Sequence, residues 1–438
     1  MARSIFSTDV WGQRNTVVVV GIALLLAALV MVGLLAPPAQ AFSTFTVNRT
    51  GDQSDADTNN PNCDINVATA GNQCTLRAAI EQANNNANPL EVDRINFNFS
   101  GTGVHTISPL TALPDITEPV IVNGYSQPGS SVNTLAKGTN AKLLIQLDGT
   151  DSSAGGFTGG LGVSASNTVV KGLVINGFNT TGIEIAPGLP EVLTNVRVEG
   201  NFLGTDPSGT VAKANTTGME LFATSNSTVG GTTLASRNLI SGNTYDGVFI
   251  MGAGYSIWGN AENNLVQGNL IGTQKDGTKA LSNGEDGVGV LEVASDTANG
   301  NSILSNSIFS NDDLGIDLGD NGPTANDPED TDTGANRLQN FPVLSSATTT
   351  SGTTTIEGML ESRPGEFYTI QFFSSPRGDE GRKFIGQQRV FTDDTSGIAS
   401  FTFTPANAVA AGQRVTATAT RQATRDTSEF SAPITVGS

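Results

Sequence analysis

Asp246 and Asp286 each stand immediately before Gly-Val at the start of a short apolar run. Two carboxylates at equivalent points of a repeating fold can act as general acid and base, the pair that glycoside hydrolysis requires. Glu184, Glu220, Glu292 and Asp317 lie on or near runs of the same kind, and Asp312 and Asp313 form an adjacent pair. The competing reading is structural. Asp-Gly is ordinary turn chemistry, and no Lys or Arg adjoins Asp246 or Asp286. The chain has one His, His105. That leaves a single candidate for any Ser-His or Cys-His nucleophile and excludes a His-rich metal site.

Asp327, Asp330 and Asp332, followed by Gly334, place oxygen ligands close together around a turn. This is Ca²⁺ chemistry in kind, although the spacing and the final bidentate Glu of an EF-hand are absent. An acidic solvated linker explains the same residues. Asp52, Asp55 and Asp57 form a weaker group of this type.

Binding is the third chemistry. Residues 198–215 (VEGNFLGTDPSGTVAKAN) and 266–283 (VQGNLIGTQKDGTKALSN) align without a gap. Each carries an insertion, 204–215 and 272–283. Between them Tyr245 would form the floor of a groove with two walls, with Tyr255 and Trp258 as an aromatic platform for sugars. Lys213, Lys275 and Lys279 would add positive charge suited to uronic acids. The alternative is that both loops simply pack on the fold.

These residues need elements to position them, and the repeat supplies those elements. Three short apolar signatures recur in fixed order. NTVVKG (167–172), LVINGF (173–178) and GIEI (182–185) form one round, and NNLVQG, NLIGT and GVGV form a later one. One coil cannot bury its inward residues, but stacked coils make a continuous core. The pattern predicts an all-β chain built on a right-handed parallel β-helix over 95–342. Stacked Asn amides should bond between coils. Gly, 51 residues of 438, exceeds the usual ~7% and serves the bends.

Sheet ends need cover. Residues 74–88 form an amphipathic stretch with Leu76, Ala79, Ile80 and Ala83 on one face and Arg77 and Glu81 one turn apart, which predicts an N-terminal capping helix within a cap region, 42–94. After Asn340-Phe341-Pro342 the composition becomes Thr-rich, and five alternating runs between 353 and 421 predict a separate β-sandwich, 343–438, with immunoglobulin-like strand spacing.

Residues 16–36 are apolar, preceded by Arg3 and Arg14 and followed by Ala39-Gln40-Ala41. This is a signal peptide over 1–41, or an uncleaved membrane anchor, and either places the body outside the cytoplasm. In that compartment Cys63 and Cys74 are expected to pair. A net charge of -19 argues against a nucleic-acid surface.

Cys74-Thr75-Leu76-Arg77-Ala78-Ala79-Ile80, followed by Gln82-Ala83-Asn84, resembles the CSLREA motif of exported bacterial and archaeal β-helix proteins. Thr75 stands for its Ser and Ala78 for its Glu. GNFLGTDPSGT, RNLISGN, LQNFPVL and the tail Thr427-Ser428-Glu429-Phe430-Ser431 look like the same family. The resemblance implies the fold and carries no catalytic motif. More distantly, the β-helix is similar to pectate lyases and polygalacturonases. The GHG signature of the latter is absent, and fold alone does not transfer function. The expectation is a secreted or surface-anchored binding or structural module, adhesin-like, acting on a polysaccharide or cell-envelope glycan, with a polysaccharide lyase or glycoside hydrolase as the alternative.

Overall fold

The structure, a computed structural model, describes residues 42–86, 92–152, 158–188, 192–252, 259–293 and 297–438. The expected export segment and the pair Tyr255 and Trp258 lie outside the described residues. Ser43–Ser438 forms one compact unit. Among the described residues no helix is long and apolar enough to cross a membrane.

The fold is mostly β. Three long parallel sheets have eight, seven and six strands, and from Val120 onward the chain visits them in constant cyclic order, first, second, third and back to the first. This is a parallel β-helix-like arrangement. Register explains the core. Val122, Val170, Val198, Val229, Val266 and Ile303 lie opposite one another in successive strands of the first sheet. Each is at most 2% exposed. In the third sheet Ile183, Met219, Val248, Val288 and Ile316 form the matching line. Burying each such side chain stabilises by about 1.5–3 kcal/mol.

Asn has two separate roles. Asn201, Asn238, Asn269 and Asn306 are buried and linked amide to amide at 3.3, 2.9 and 3.0 Å. Asn269 also donates to Val229 O at 2.9 Å. Asn269→Ala would orphan several buried groups at once and is expected to cost about 3 kcal/mol or more. Urea unfolding checks this, and a midpoint within error of the wild type counts against it. Asn167, Asn195, Asn226 and Asn263 instead have φ between 53° and 61°. There the short amide side chain tolerates a left-handed turn before four strands of the first sheet, Val169–Lys171, Arg197–Glu199, Thr228–Gly230 and Leu265–Gln267. At Gly204, φ is 89° and a Cβ would sit 2.2 Å from Asn243 Oδ1, so both the turn and the close approach demand glycine.

The helix Leu76–Asn85 covers the N-terminal end. The Thr75 hydroxyl accepts the Ala78 N–H at 3.1 Å, an N-cap. Leu76, Ala79, Ile80 and Ala83 join the core of the coils. The Cys63–Cys74 disulfide precedes it, with Cα atoms 5.2 Å apart. Arg77 does not pair with Glu81. It grips Asp52 through two hydrogen bonds of 3.0 Å, while Glu81 accepts the Asp55 N–H at 2.7 Å. A strand absent from the sequence expectation, Thr44–Val47, pairs with Asp93–Phe97 and extends the first sheet by one place.

Residues from 343 onward form antiparallel sheets of three and four strands. They share a second core that includes Ile356, Leu360, Tyr368, Ile370 and Phe372. Two strands beyond the five expected runs, Val343–Thr350 and Ile434–Thr435, complete them. These sheets lie on the last coil and cap its main chain. Gly300 N–H donates to Asp426 at 2.6 Å, Ile303 N–H to Thr427 Oγ1 at 3.1 Å and Ser305 N–H to Gln371 at 2.8 Å. Ile308 N–H donates to Gly381 O at 3.0 Å, and Leu318 N–H to Glu429 at 3.1 Å. The N–H groups of Ser310 and Asn311 both reach Glu380.

Candidate ligand-binding site

Asp246 and Asp286 do stack on neighbouring coils, but one oxygen of each is engaged by main chain. Asp286 N–H donates to Asp246 Oδ1 at 3.1 Å, and Leu314 N–H to Asp286 Oδ1 at 2.8 Å. The residues are 5% and 3% exposed. Burial, against these hydrogen bonds, pushes their carboxyls up to about 7 and about 8. None of the ion pairs among the described residues includes either one. The pair therefore ties coil to coil, with no basic partner for a lyase. Asp312 and Asp313 are exposed. Asp317 is buried and accepts the Gly322 N–H at 2.8 Å. Glu292 accepts the Ala298 N–H at 3.2 Å. Glu184 and Glu220 are register partners on the outer side of the third sheet. Burial, then the charge of Glu184, raises Glu220 to about 7.

Asp327, Asp330 and Asp332 converge, each offering an oxygen within 4.8 Å of the others. Asp327 Oδ1 and Asp332 Oδ1 are buried and have no hydrogen-bond donor. Burial, then the charges of Asp327 and Asp330, pushes Asp332 up to about 6. Carboxylate oxygens alone suit a hard cation such as Ca²⁺. The expected result of adding millimolar Ca²⁺ is a higher melting temperature in the wild type and no shift in Asp332→Asn. An unchanged wild-type melting temperature removes the trio as a site. In the weaker acidic group Asp52 is paired with Arg77, and Asp55 accepts the N–H groups of Asp57 and Asp64 at 2.8 and 2.9 Å.

The two insertions do not bound an open groove. Each closes as a hairpin, through the bridges Thr205 to Ala212 and Thr273 to Ala280. They touch directly, Lys275 N–H donating to Gly209 O at 2.8 Å. Beneath them Phe202, Leu239 and Leu270 form an apolar cluster, each at most 3% exposed. These three point away from the coil interior and need cover, which the insertions contribute. The sequence signal was present: the three second-sheet strands beneath the insertions carry two adjacent apolar residues (Phe202-Leu203, Leu239-Ile240, Leu270-Ile271), where one inward residue would suffice. Lys213 is ion-paired with Asp148. Tyr245 is 48% exposed, and Lys279 is exposed.

An open cleft of about 580 Å³ lies beside the second insertion. One wall is the loop containing Lys137 and Gly138 together with Arg237 and Gly277. The other is the antiparallel segment with Ser374, Arg382, Lys383 and Phe384. Four cations line it (Lys137, Arg237, Arg382 and Lys383) and no carboxylate does. Arg237 builds the wall. Its Nη1 donates to the carbonyls of Leu135, Ala136 and Gly138 at 3.1, 3.0 and 2.7 Å, and its Nε to Gly268 O at 3.1 Å. Burial lowers its pKa from the ordinary value, and it remains cationic. Phe384, 36% exposed, supplies an aromatic surface. These residues are scattered along the chain, so no spacing in the sequence links them.

The fold and this cleft define the class of the molecule: a parallel β-helix-like chain that carries antiparallel sheets and a cationic recess on an acidic body. No protein-family model matches the chain, and no curated protein matches it.

Proposed function

We propose that this is an exported right-handed parallel β-helix protein, ending in an immunoglobulin-like sandwich, that binds an anionic glycan of a polysaccharide or cell envelope. The observation that carries the reading is the cleft wall: four cations and no carboxylate in a chain of net charge -19. Charge of one sign focused in a recess raises the local concentration of its counter-ion. Uronate and sulfate groups match guanidinium forks, and a half-exposed Phe384 offers its face to a sugar ring. The disulfide supports an oxidising compartment. The motif around Cys74 supports membership of the CSLREA-type proteins, because three of its positions have a role here: Cys74 in the disulfide, Thr75 as N-cap and Arg77 holding Asp52.

Glycan-array retention of the mature chain, followed by calorimetry, tests the proposal. Anionic glycans are expected to bind and neutral ones not. Arg382→Ala should weaken binding about tenfold, the usual worth of one charge-assisted contact. Arg237→Lys should do the same or more, because an ammonium cannot reproduce the fork that holds the loop. Undiminished binding in both variants would remove the cleft. Release of shortened products, abolished by Asp246→Asn and Asp286→Asn, would establish the hydrolase reading in its place.

A further inference from the structure

A second concavity, of about 480 Å³, adjoins the first. The two share Pro376 and Arg382. Their walls are continuous as well. The second insertion presents Gly277 to one and Thr278 and Ala280 to the other, while the opposite side of both is drawn from residues 374–382. The Arg382 guanidinium lies 5.0 Å from the Phe309 ring centroid, which holds it at the seam. Each volume alone falls within the ~300–1,000 Å³ that accommodates one drug-sized ligand, so the pair has room for a chain rather than a single ring.

Along this path the guanidiniums of Arg377 and Arg382 stand with one exposed carboxylate, that of Asp379. The second concavity carries Arg377 and Arg382 beside Asp379 and Glu380. Glu380 is directed away from any ligand, because both its oxygens accept N–H groups of Ser310 and Asn311. It is also only 8% exposed. Among the described residues neither Arg377 nor Arg382 has an ion-pair partner.

We infer that the two concavities are one extended site that holds several consecutive units of an anionic oligosaccharide, Arg382 marking the step between its halves. The inference rests on the anionic-glycan reading and adds a minimum chain length to it. A ligand lying along the site touches the parallel coils on one side and the antiparallel sheets on the other, so it bridges the two.

The test is calorimetry of the full mature chain with oligogalacturonides from monomer to hexamer. Carrageenan oligosaccharides of matched length form a second arm that separates carboxylate from sulfate recognition. The expected result is affinity that rises about tenfold or more from dimer to hexamer, in at least one arm, and then levels off. Arg377→Ala, a fully surface-placed change, should weaken the hexamer several-fold and leave the dimer unchanged. Dimer and hexamer binding with equal affinity, or an Arg377→Ala variant that binds the hexamer like the wild type, overturns the extended site and leaves the single cleft standing. Failure of every anionic chain to bind the wild type overturns the cleft reading and this inference together.

Discussion

A fragment of residues 43–342, lacking the antiparallel sheets, is expected to run as soluble oligomers or aggregate and to melt well below the full chain. The last strands of the three parallel sheets, Ser302–Leu304, Ser307–Ile308 and Ile316–Leu318, have a paired neighbour on one side only. On the other side their N–H groups, with those of the adjoining Gly300 and Ser305, meet Asp426, Thr427, Gln371, Gly381 and Glu429. Removing those partners leaves an open strand edge, which templates pairing with another chain. It also uncovers Ile303, Ile308, Ile316 and Leu318, each at most 2% exposed in the full chain. Each orphaned buried N–H costs about 1–3 kcal/mol until water reaches it, so fraying should begin at this end and move inward coil by coil. Size-exclusion chromatography and hydrogen exchange would show it as higher mass and early loss of protection in 302–318. The reciprocal fragment, 343–438, has its own core around Tyr368, Ile370 and Phe372 and should fold alone with a cooperative melt. A monomeric 43–342 fragment with an unchanged melting temperature would show that the sheets are an appended domain rather than the end cap.

What could be read in the sequence, and what could not, divides along the range of the interactions. The coils were legible because one repeat writes the same inward residue at every turn: Ile183, Val248 and Ile316 recur at matching places and meet in register. The capping helix after Cys74 was legible from its apolar spacing, and the stacking of Asp246 on Asp286 from the repeat that places both before Gly-Val. Thr44–Val47 was not, because it is a lone strand before an Asn-rich loop with no repeat to announce it. The end cap was hidden in the tail. Thr427 and Glu429 read there as polar loop residues, and only the fold brings them to Ile303 and Leu318. The groove expected between the insertions treated outward positions of the second sheet as solvent-facing, whereas Phe202, Leu239 and Leu270 require a lid. The cationic cleft joins Lys137, Arg237 and Arg382 across all three sheets' worth of sequence, and a chain scan for clustered charge passes over it.

The melting temperature is expected to be highest near pH 4–5 and to fall by many degrees towards pH 9, the reverse of a chain held together by ion pairs. Asp246, Glu380 and Glu429 are pushed up to about 7 and Asp286 to about 8, in each case chiefly by burial. A carboxyl that binds its proton more tightly in the folded chain than in the unfolded one stabilises the fold while that proton is kept. Its contribution is complete below the ordinary carboxyl range of about 4 and disappears as pH rises through the folded value. The window is therefore about pH 4 to 8. For one buried group raised from about 4 to about 7 the change is on the order of 4 kcal/mol. Coupling between Asp246 and Asp286 makes the total less than additive. Groups of the opposite kind act elsewhere. Asp57 and Asp393, held low by hydrogen bonds from neighbouring N–H and side-chain donors, lose their small contribution only as pH falls through their own lowered values, outside this window. Glu380 and Glu429 sit where the antiparallel sheets meet the last coil, so ionising them loosens the end cap first. Asp286→Asn keeps an oxygen for the Leu314 N–H and removes one titration. It should match the wild type at pH 5 and exceed it at pH 8.5, flattening the profile. Scanning calorimetry across that range decides the matter: a flat wild-type profile, or one that rises with pH, would mean that these carboxyls are charged in the folded chain and that water or a cation reaches them.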